Sequence, residues 1–192
     1  MANFLKAYPI TSKHEGKYSN HPSDVGGETY RGIARRYHPD WDGWTIIDQL
    51  KGSLFPENLE SNHTLQMMVR NLYKKNYWDK IKGDQIKYQE IADELYDTGV
   101  NMGIGRAGKF LQEGLNLLNR NGKNWNNLSV DGAIGPNTLN TLNNVLPKKD
   151  VKVLYNIINV LQGMQYINYT RSNESQEVFM RGWFNRIDII KR

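Results

Sequence analysis

Glu15 and the residues after it concentrate the side chains of this 192-residue chain that are capable of proton chemistry. The stretch runs His14-Glu15-Gly16-Lys17-Tyr18, and later Pro22-Ser23-Asp24-Val25-Gly26-Gly27-Glu28-Thr29-Tyr30-Arg31-Gly32-Ile33. A carboxyl that stays protonated near neutral pH can deliver a proton to a leaving group, provided its surroundings disfavour the anion. A helix is expected to begin near Pro9 and end at Glu15, with Gly16 as a left-handed stop. The carboxyl would then lie at the negative end of the helix dipole, and burial would act in the same direction. Lys17 would oppose both effects if its ammonium came close. An isolated glutamate is ordinarily a solvated residue, so the weight of Glu15 comes from the order of its neighbours.

Those neighbours admit more than one reading. Asp24, nine residues after Glu15, suits a turn in which its carboxylate bonds its own backbone as well as it suits a site. Gly26, Gly27 and Gly32 supply positive φ and close backbone approach, as a polar hairpin requires. Glu28 and Thr29 alternate across a strand, so only one of them faces a cleft. Tyr18 and Tyr30 either line such a cleft or pack beneath it.

The order resembles a family signature. Glu15-Gly16 with Tyr18 resembles the Glu-Gly-Gly-Tyr motif of glycoside hydrolase family 108, muramidases of the lysozyme superfamily, and the Asp-x-Gly-Gly-x-Thr-x-x-Gly-Ile run from Asp24 to Ile33 is also present. Lys17 stands where the family has its second glycine. The resemblance implies Glu15 as general acid. It also implies Asp24 as a group that steadies positive charge at the anomeric carbon or activates water, and Thr29 as the hydroxyl orienting that water. Tyr18, Tyr30 and Asn101 are the substrate-binding candidates. A second element, Val130-Asp131-Gly132-Ala133-Ile134-Gly135-Pro136-Asn137-Thr138-Leu139, resembles the Asp-Gly-x-Ile-Gly-Pro-x-Thr run of peptidoglycan-binding segments. The closing Gly182-Trp183-Phe184-Asn185-Arg186 resembles the family's final Gly-Trp-x-x-Arg.

Composition limits the alternatives. Hydrophobic residues at 39% with 11% aromatics argue for a packed globule rather than a disordered chain. A net charge of +5 favours approach to an anionic polymer, but the cations are scattered, with no basic run, which makes nucleic acid the weaker partner. With no cysteine there is no disulfide framework and no thiol nucleophile. Four histidines in no ligand arrangement give no metal site, and no cofactor is expected. No apolar run reaches the length of a membrane span. The first ten residues lack the apolar core and cleavage site of a standard signal peptide, so synthesis in the cytoplasm and release by a holin, lysis or a dedicated export route is expected.

The elements that must position these residues read as mainly helical. Leu65, Met68, Val69, Leu72 and Tyr73 repeat at helical spacing, ending near Trp78 or Gly83. Ile91, Leu95 and Met102 begin another run, with Asp97 and Asn101 one turn apart, and Gly103-Ile104-Gly105 breaks it or allows close helix contact before Ala107, Phe110, Leu111 and Leu115. Asp40-Trp41-Asp42-Gly43-Trp44 marks a turn whose tryptophans form a sugar-facing rim or pack in the core. Asp131-Gly132 reads as a turn and Pro136 as the first residue of a helix. A last long helix from Asp150 carries Leu154, Ile157, Ile158, Leu161 and Met164 as its apolar stripe.

The expected architecture is therefore a mainly α, lysozyme-like fold with a small polar β-hairpin after the first helix. Residues 1–90 would form a catalytic segment and 91–192 a helical peptidoglycan-binding-like segment, packed as one compact unit. The expected activity is hydrolysis of the β-1,4 bond between N-acetylmuramic acid and N-acetylglucosamine, by a monomer acting on the cell wall without nucleic acid or membrane insertion. The alternative is a non-catalytic wall-binding or secretion-accessory protein that keeps the fold.

Overall fold

A computed structural model describes residues 1–13, 16–21 and 26–188 of the chain. Glu15 and Asp24 lie outside the described residues. The chain divides into two compact units, Tyr8–Asn76 and the combination of Met1–Ala7 with Tyr77–Arg192. The division falls inside the first helix.

That helix, α1, spans Phe4–Ser12 with Pro9 inside it. It starts five residues before the expected position and ends three residues before Glu15. Proline inside a helix removes the bond to the carbonyl one turn earlier, here that of Leu5, a residue 63% exposed. Gly16 does not adopt a positive φ. The expected left-handed stop there is incorrect, because the helix has already ended at Ser12.

In the Tyr8–Asn76 unit, β1 (Tyr18–Ser19), β2 (Thr29–Tyr30) and β3 (Ile33–Ala34) form an antiparallel sheet in that order. Tyr18 faces Tyr30 and Ser19 faces Thr29 across one ladder, and Thr29 faces Ala34 across the other. The expected hairpin thus gains a third strand. Arg31 and Gly32, at φ 45° and 76°, make the two-residue turn between β2 and β3. Two successive positive φ values match the twist of paired strands, and glycine at the second position relieves half the strain. Helices α2 (Gly43–Gln49) and α3 (His63–Tyr73) complete the unit. Asn62 caps α3, its side chain accepting from the Leu65 N–H at 2.9 Å. The α3 stripe read from the sequence is buried at Leu65, Val69 and Tyr73, and Tyr30, Ile33, Trp44 and Ile47 are buried in the same unit.

The other unit is built on α4 (Gln89–Met102), α5 (Ile104–Leu117) and the 22-residue α7 (Val151–Ser172), with α6 (Pro136–Asn140) and α8 (Glu177–Phe184). Gly103 at φ 89° makes the break between α4 and α5. Phe4 packs edge-on against Tyr96, with ring centroids 5.7 Å apart, and also meets Trp78. On α5, Gly108 lets the backbone of the 130s loop come against the helix, since a Cβ there would meet the Gly132 carbonyl oxygen at 2.0 Å. A Cβ on Gly132 would meet the Gly105 carbonyl at 2.5 Å. Gly132 has φ 86°, and Pro136 opens α6, as the turn-plus-helix reading expects.

The buried face of α7 differs from its expected stripe. Leu154 and Ile158 are buried, but Met164 is 52% exposed, and Asn159, Gln162 and Tyr166 are buried in its place. Polar groups of α4 explain the rotation. Gln162 Nε2 donates to Thr98 Oγ1 at 3.1 Å, and Asn101 Nδ2 donates to the Tyr166 hydroxyl at 2.7 Å.

Candidate active site

The described part of the motif is held by a charge cluster that the sequence reading did not identify. Glu28 has a side chain only 10% exposed and ends between two cations. Arg35 Nη1 donates to its Oε2 at 2.7 Å, and Lys51 Nζ lies 3.0 Å from its Oε1. The Tyr18 hydroxyl donates to the same Oε1 at 2.9 Å. Arg35 forks onto Asp48 with bonds of 2.9 and 2.7 Å, and Lys51 reaches Asp48 at 2.8 Å. Two carboxylates and two cations therefore cancel in charge while joining the strand region to α2.

Electrostatics fix which of these groups can move a proton. Burial alone would raise the Glu28 carboxyl, but hydrogen bonds from Arg35, Lys51 and Tyr18 outweigh it and hold the group below its ordinary value. Glu28 is consequently an anion at neutral pH and no proton donor. The Asp48 carboxyl is held far below the usual range by its bonds from Arg35 and Lys51. The Tyr18 phenol is pushed up, first by burial and then by its bond to Glu28, so it stays protonated. Its ring is set edge-on against Phe55, with centroids 4.6 Å apart.

Thr29 and Glu28 divide as strand alternation requires. Glu28 turns into the charge cluster, while Thr29 Oγ1 donates to the Gly27 carbonyl at 3.1 Å. That bond spends the hydroxyl proton and leaves the oxygen's lone pairs able to accept from a water. Gly27, at φ 66°, supplies the positive φ expected there. Tyr30 is fully buried. Its hydroxyl receives Gln66 Nε2 at 2.6 Å and donates toward Glu60 Oε1 at 3.2 Å, so Tyr30 supports the sheet from below rather than presenting a ring to solvent. Arg31 is ion-paired with Glu60, and its carbonyl accepts from the Tyr73 hydroxyl at 2.8 Å. The turn is therefore fastened to α3. Lys17 is exposed, and its carbonyl accepts the Arg31 N–H at 3.0 Å.

Asn101 belongs to α4, where its amide is engaged with Tyr166. Of the two tryptophans expected at a rim or in the core, Trp44 is buried at 2% exposure and Trp41 is half-buried. Among the described residues no group of three or more His, Asp or Glu is arranged to hold a metal ion, and no helix is long and apolar enough to cross a membrane. The Glu28–Arg35–Asp48–Lys51 cluster left one visible trace, the Asp48-to-Lys51 spacing of one helical turn. The longer link from Glu28 to Arg35 depends on how β2 and β3 fold back, which spacing does not reveal.

The family model described as Glycosyl hydrolase 108 matches residues 8–103, and the model described as Predicted Peptidoglycan domain matches residues 106–188. No curated protein matches the chain. Among solved structures, that of Brucella abortus SagA is similar over 96% of this chain and 88% of that one, with 23% identity and a TM-score of 0.58. The fold is lysozyme-like and mainly α with a small antiparallel sheet, and the matched segments support peptidoglycan as the partner. The first match spans the Glu15-to-Ile33 signature and half of the sequence, and the chain belongs to glycosyl hydrolase family 108.

Proposed function

We propose that this protein hydrolyses the β-1,4 bond between N-acetylmuramic acid and N-acetylglucosamine in peptidoglycan, with Glu15 delivering a proton to the leaving oxygen. Asp24 stabilises the developing positive charge or activates water, and Thr29 accepts a hydrogen bond from that water. Tyr18 and Asn101 contact sugar. Tyr30 holds the strand carrying Thr29. Residues 1–90 carry the chemistry and 91–192 hold the wall, the protein acting as a monomer after release by a holin, lysis or a dedicated export route.

The observation that carries this reading is the match of residues 8–103 to the hydrolase family, which includes Glu15, Asp24 and Thr29 in one short stretch. The charge cluster supports it physically. Glu28, the nearest described carboxylate to Thr29 in sequence, is held as an anion and so is not itself a proton donor.

The test is chemical. Purified protein should release reducing sugar ends from peptidoglycan, whereas new amino groups without reducing ends would make it an amidase or peptidase. Glu15→Gln should lower turnover by roughly 10²- to 10⁴-fold while wall binding and the melting temperature persist. Wall binding without any turnover in the unmodified protein would favour the non-catalytic role.

A further inference from the structure

Within the Tyr8–Asn76 unit, a pocket of about 490 Å³ opens between the turn leading into α2 and the end of α3. None of residues 16–34 lines it, so it is separate from the described part of the motif. Its volume lies within the range of small-molecule sites, about 300–1,000 Å³.

The wall is an aromatic ring fixed in advance. Trp41 lies across Gly43 so closely that a Cβ on residue 43 would come within 2.3 Å of the indole. Trp44 meets Trp41 edge-on, with centroids 5.3 Å apart and planes at 90°. Trp44 is itself tied down, its indole N–H donating to the His38 carbonyl at 2.8 Å and the Arg35 guanidinium lying 5.2 Å from its ring centre. Trp41 therefore has little rotamer freedom left to lose on binding, the condition under which a contact returns most of its energy as affinity.

Polar groups converge on the same space. Asn71, Asn76, Lys75 and Tyr37 are among its lining residues, and among the described residues none of their polar side-chain groups is hydrogen-bonded within the protein. Met68 and Leu72 add apolar surface. Two carboxylates, Asp40 and Asp42, stand against the single ammonium, which disfavours an anionic peptide and suits a neutral ligand rich in hydroxyls. The C–H face of a pyranose covers an indole, while amides pair with an acetamido group through one donor and one acceptor each.

We propose that this pocket is a second carbohydrate site that takes a neutral N-acetylhexosamine unit of glycan, apart from the bond being cleaved. The proposal rests on the peptidoglycan reading above for its ligand, but not on hydrolysis. Its role is retention on a long glycan, so loss of the pocket weakens the hold on insoluble wall and leaves the chemical step intact.

The test is a ¹H–¹⁵N titration of the full chain with the β-1,4-linked trisaccharide of N-acetylglucosamine. The indole signal of Trp41 and the side-chain amide signals of Asn71 and Asn76 should shift together and saturate. Trp41→Ala should abolish the shift of the two amides. Asn71→Ala with Asn76→Ala, which leaves the tryptophan pair intact, should weaken saturation about tenfold and raise KM on wall fragments with kcat unchanged. Unmoved Trp41 and asparagine signals, or shifts produced by a wall stem peptide and not by the trisaccharide, would overturn the proposal. Because signal shifts need no turnover, a protein that binds here and releases no reducing ends would sink the hydrolase reading alone.

Discussion

Glu28 in the Tyr8–Asn76 unit and Glu94 on α4 in the other unit are both withdrawn from water, with 10% of the first side chain and 6% of the second residue exposed. Glu28 has Arg35, Lys51 and the Tyr18 hydroxyl for company and is held below its ordinary value. Among the described residues no cation is ion-paired with Glu94. Burial first, and then repulsion from Asp97, push its carboxyl up to about 8, against smaller opposing bonds from Asn159 and Thr98. The Arg186 guanidinium pairs with Asp97, 2.8 Å away. Burial of a carboxyl is thus compatible with either protonation state, and its hydrogen-bond donors decide between them.

The largest test of that contrast is the pH dependence of stability. Glu94 keeps its proton in the folded state above the ordinary value of 4.5. Its contribution to stability is therefore complete below about pH 4.5 and disappears as pH rises through 8. At ~1.4 kcal/mol per pKa unit the loss is on the order of 5 kcal/mol. Glu94→Gln should flatten the stability curve between pH 5 and 8.5, measured by denaturant melts followed through hydrogen exchange in α4 and α7. An unchanged slope would mean that Glu94 finds a cation or water when it ionises.

Arg35→Met comes next. It removes the cation shared by Glu28 and Asp48, and with Arg35 37% exposed the cost should be about 2 kcal/mol, below that of a fully buried pair. Hydrogen exchange should quicken in β2 and β3. Glu28→Gln should cost less, about 1 kcal/mol at pH 7, because Arg35 and Lys51 keep Asp48. The sign of its pH effect opposes that of Glu94. A carboxyl held low contributes stability above its ordinary 4.5 that is lost as pH falls, so the variant should narrow its deficit below pH 4.5.

Lys17→Gly gives the smallest effect. This lysine is exposed, and among the described residues its side chain joins no ion pair, so stability should change by less than about 0.5 kcal/mol. The basic limb of the pH–rate profile should stay in place, with weaker attachment to anionic wall at low salt. A basic limb displaced upward by the glycine would show that Lys17 acts on the acid.

Periodicity made α3 and α4 legible, since Leu65 and Val69, like Ile91 and Leu95, bury one face at a 3.6-residue repeat. The Asp131-Gly132 turn and Pro136 start were legible from local backbone preference alone. The start of α1 was not, because Pro9 reads as a first-turn residue and here lies mid-helix. Nor was the buried side of α7. Asn159 and Gln162 look like solvent-facing positions until the Asp188 N–H donating to the first and Thr98 receiving the second are seen. In the candidate site, residue types identified Thr29 and Tyr18, but the ionic clamp around Glu28 required three-dimensional closure. Tyr30 showed its aromatic character in sequence and not its depth.

The contact of Gly105 and Gly108 with Gly132 has a consequence for inheritance. A methyl group at 108 would strike the Gly132 carbonyl, and one at 132 would strike the Gly105 carbonyl. These positions belong to different elements, 24 to 27 residues apart in the chain. A lineage that acquired a side chain at either face must retract the loop before the change is tolerated. Substitutions there should therefore arrive in correlated sets with altered loop length, and the Asp-Gly element should drift at the pace set by helix α5 rather than by whatever it binds.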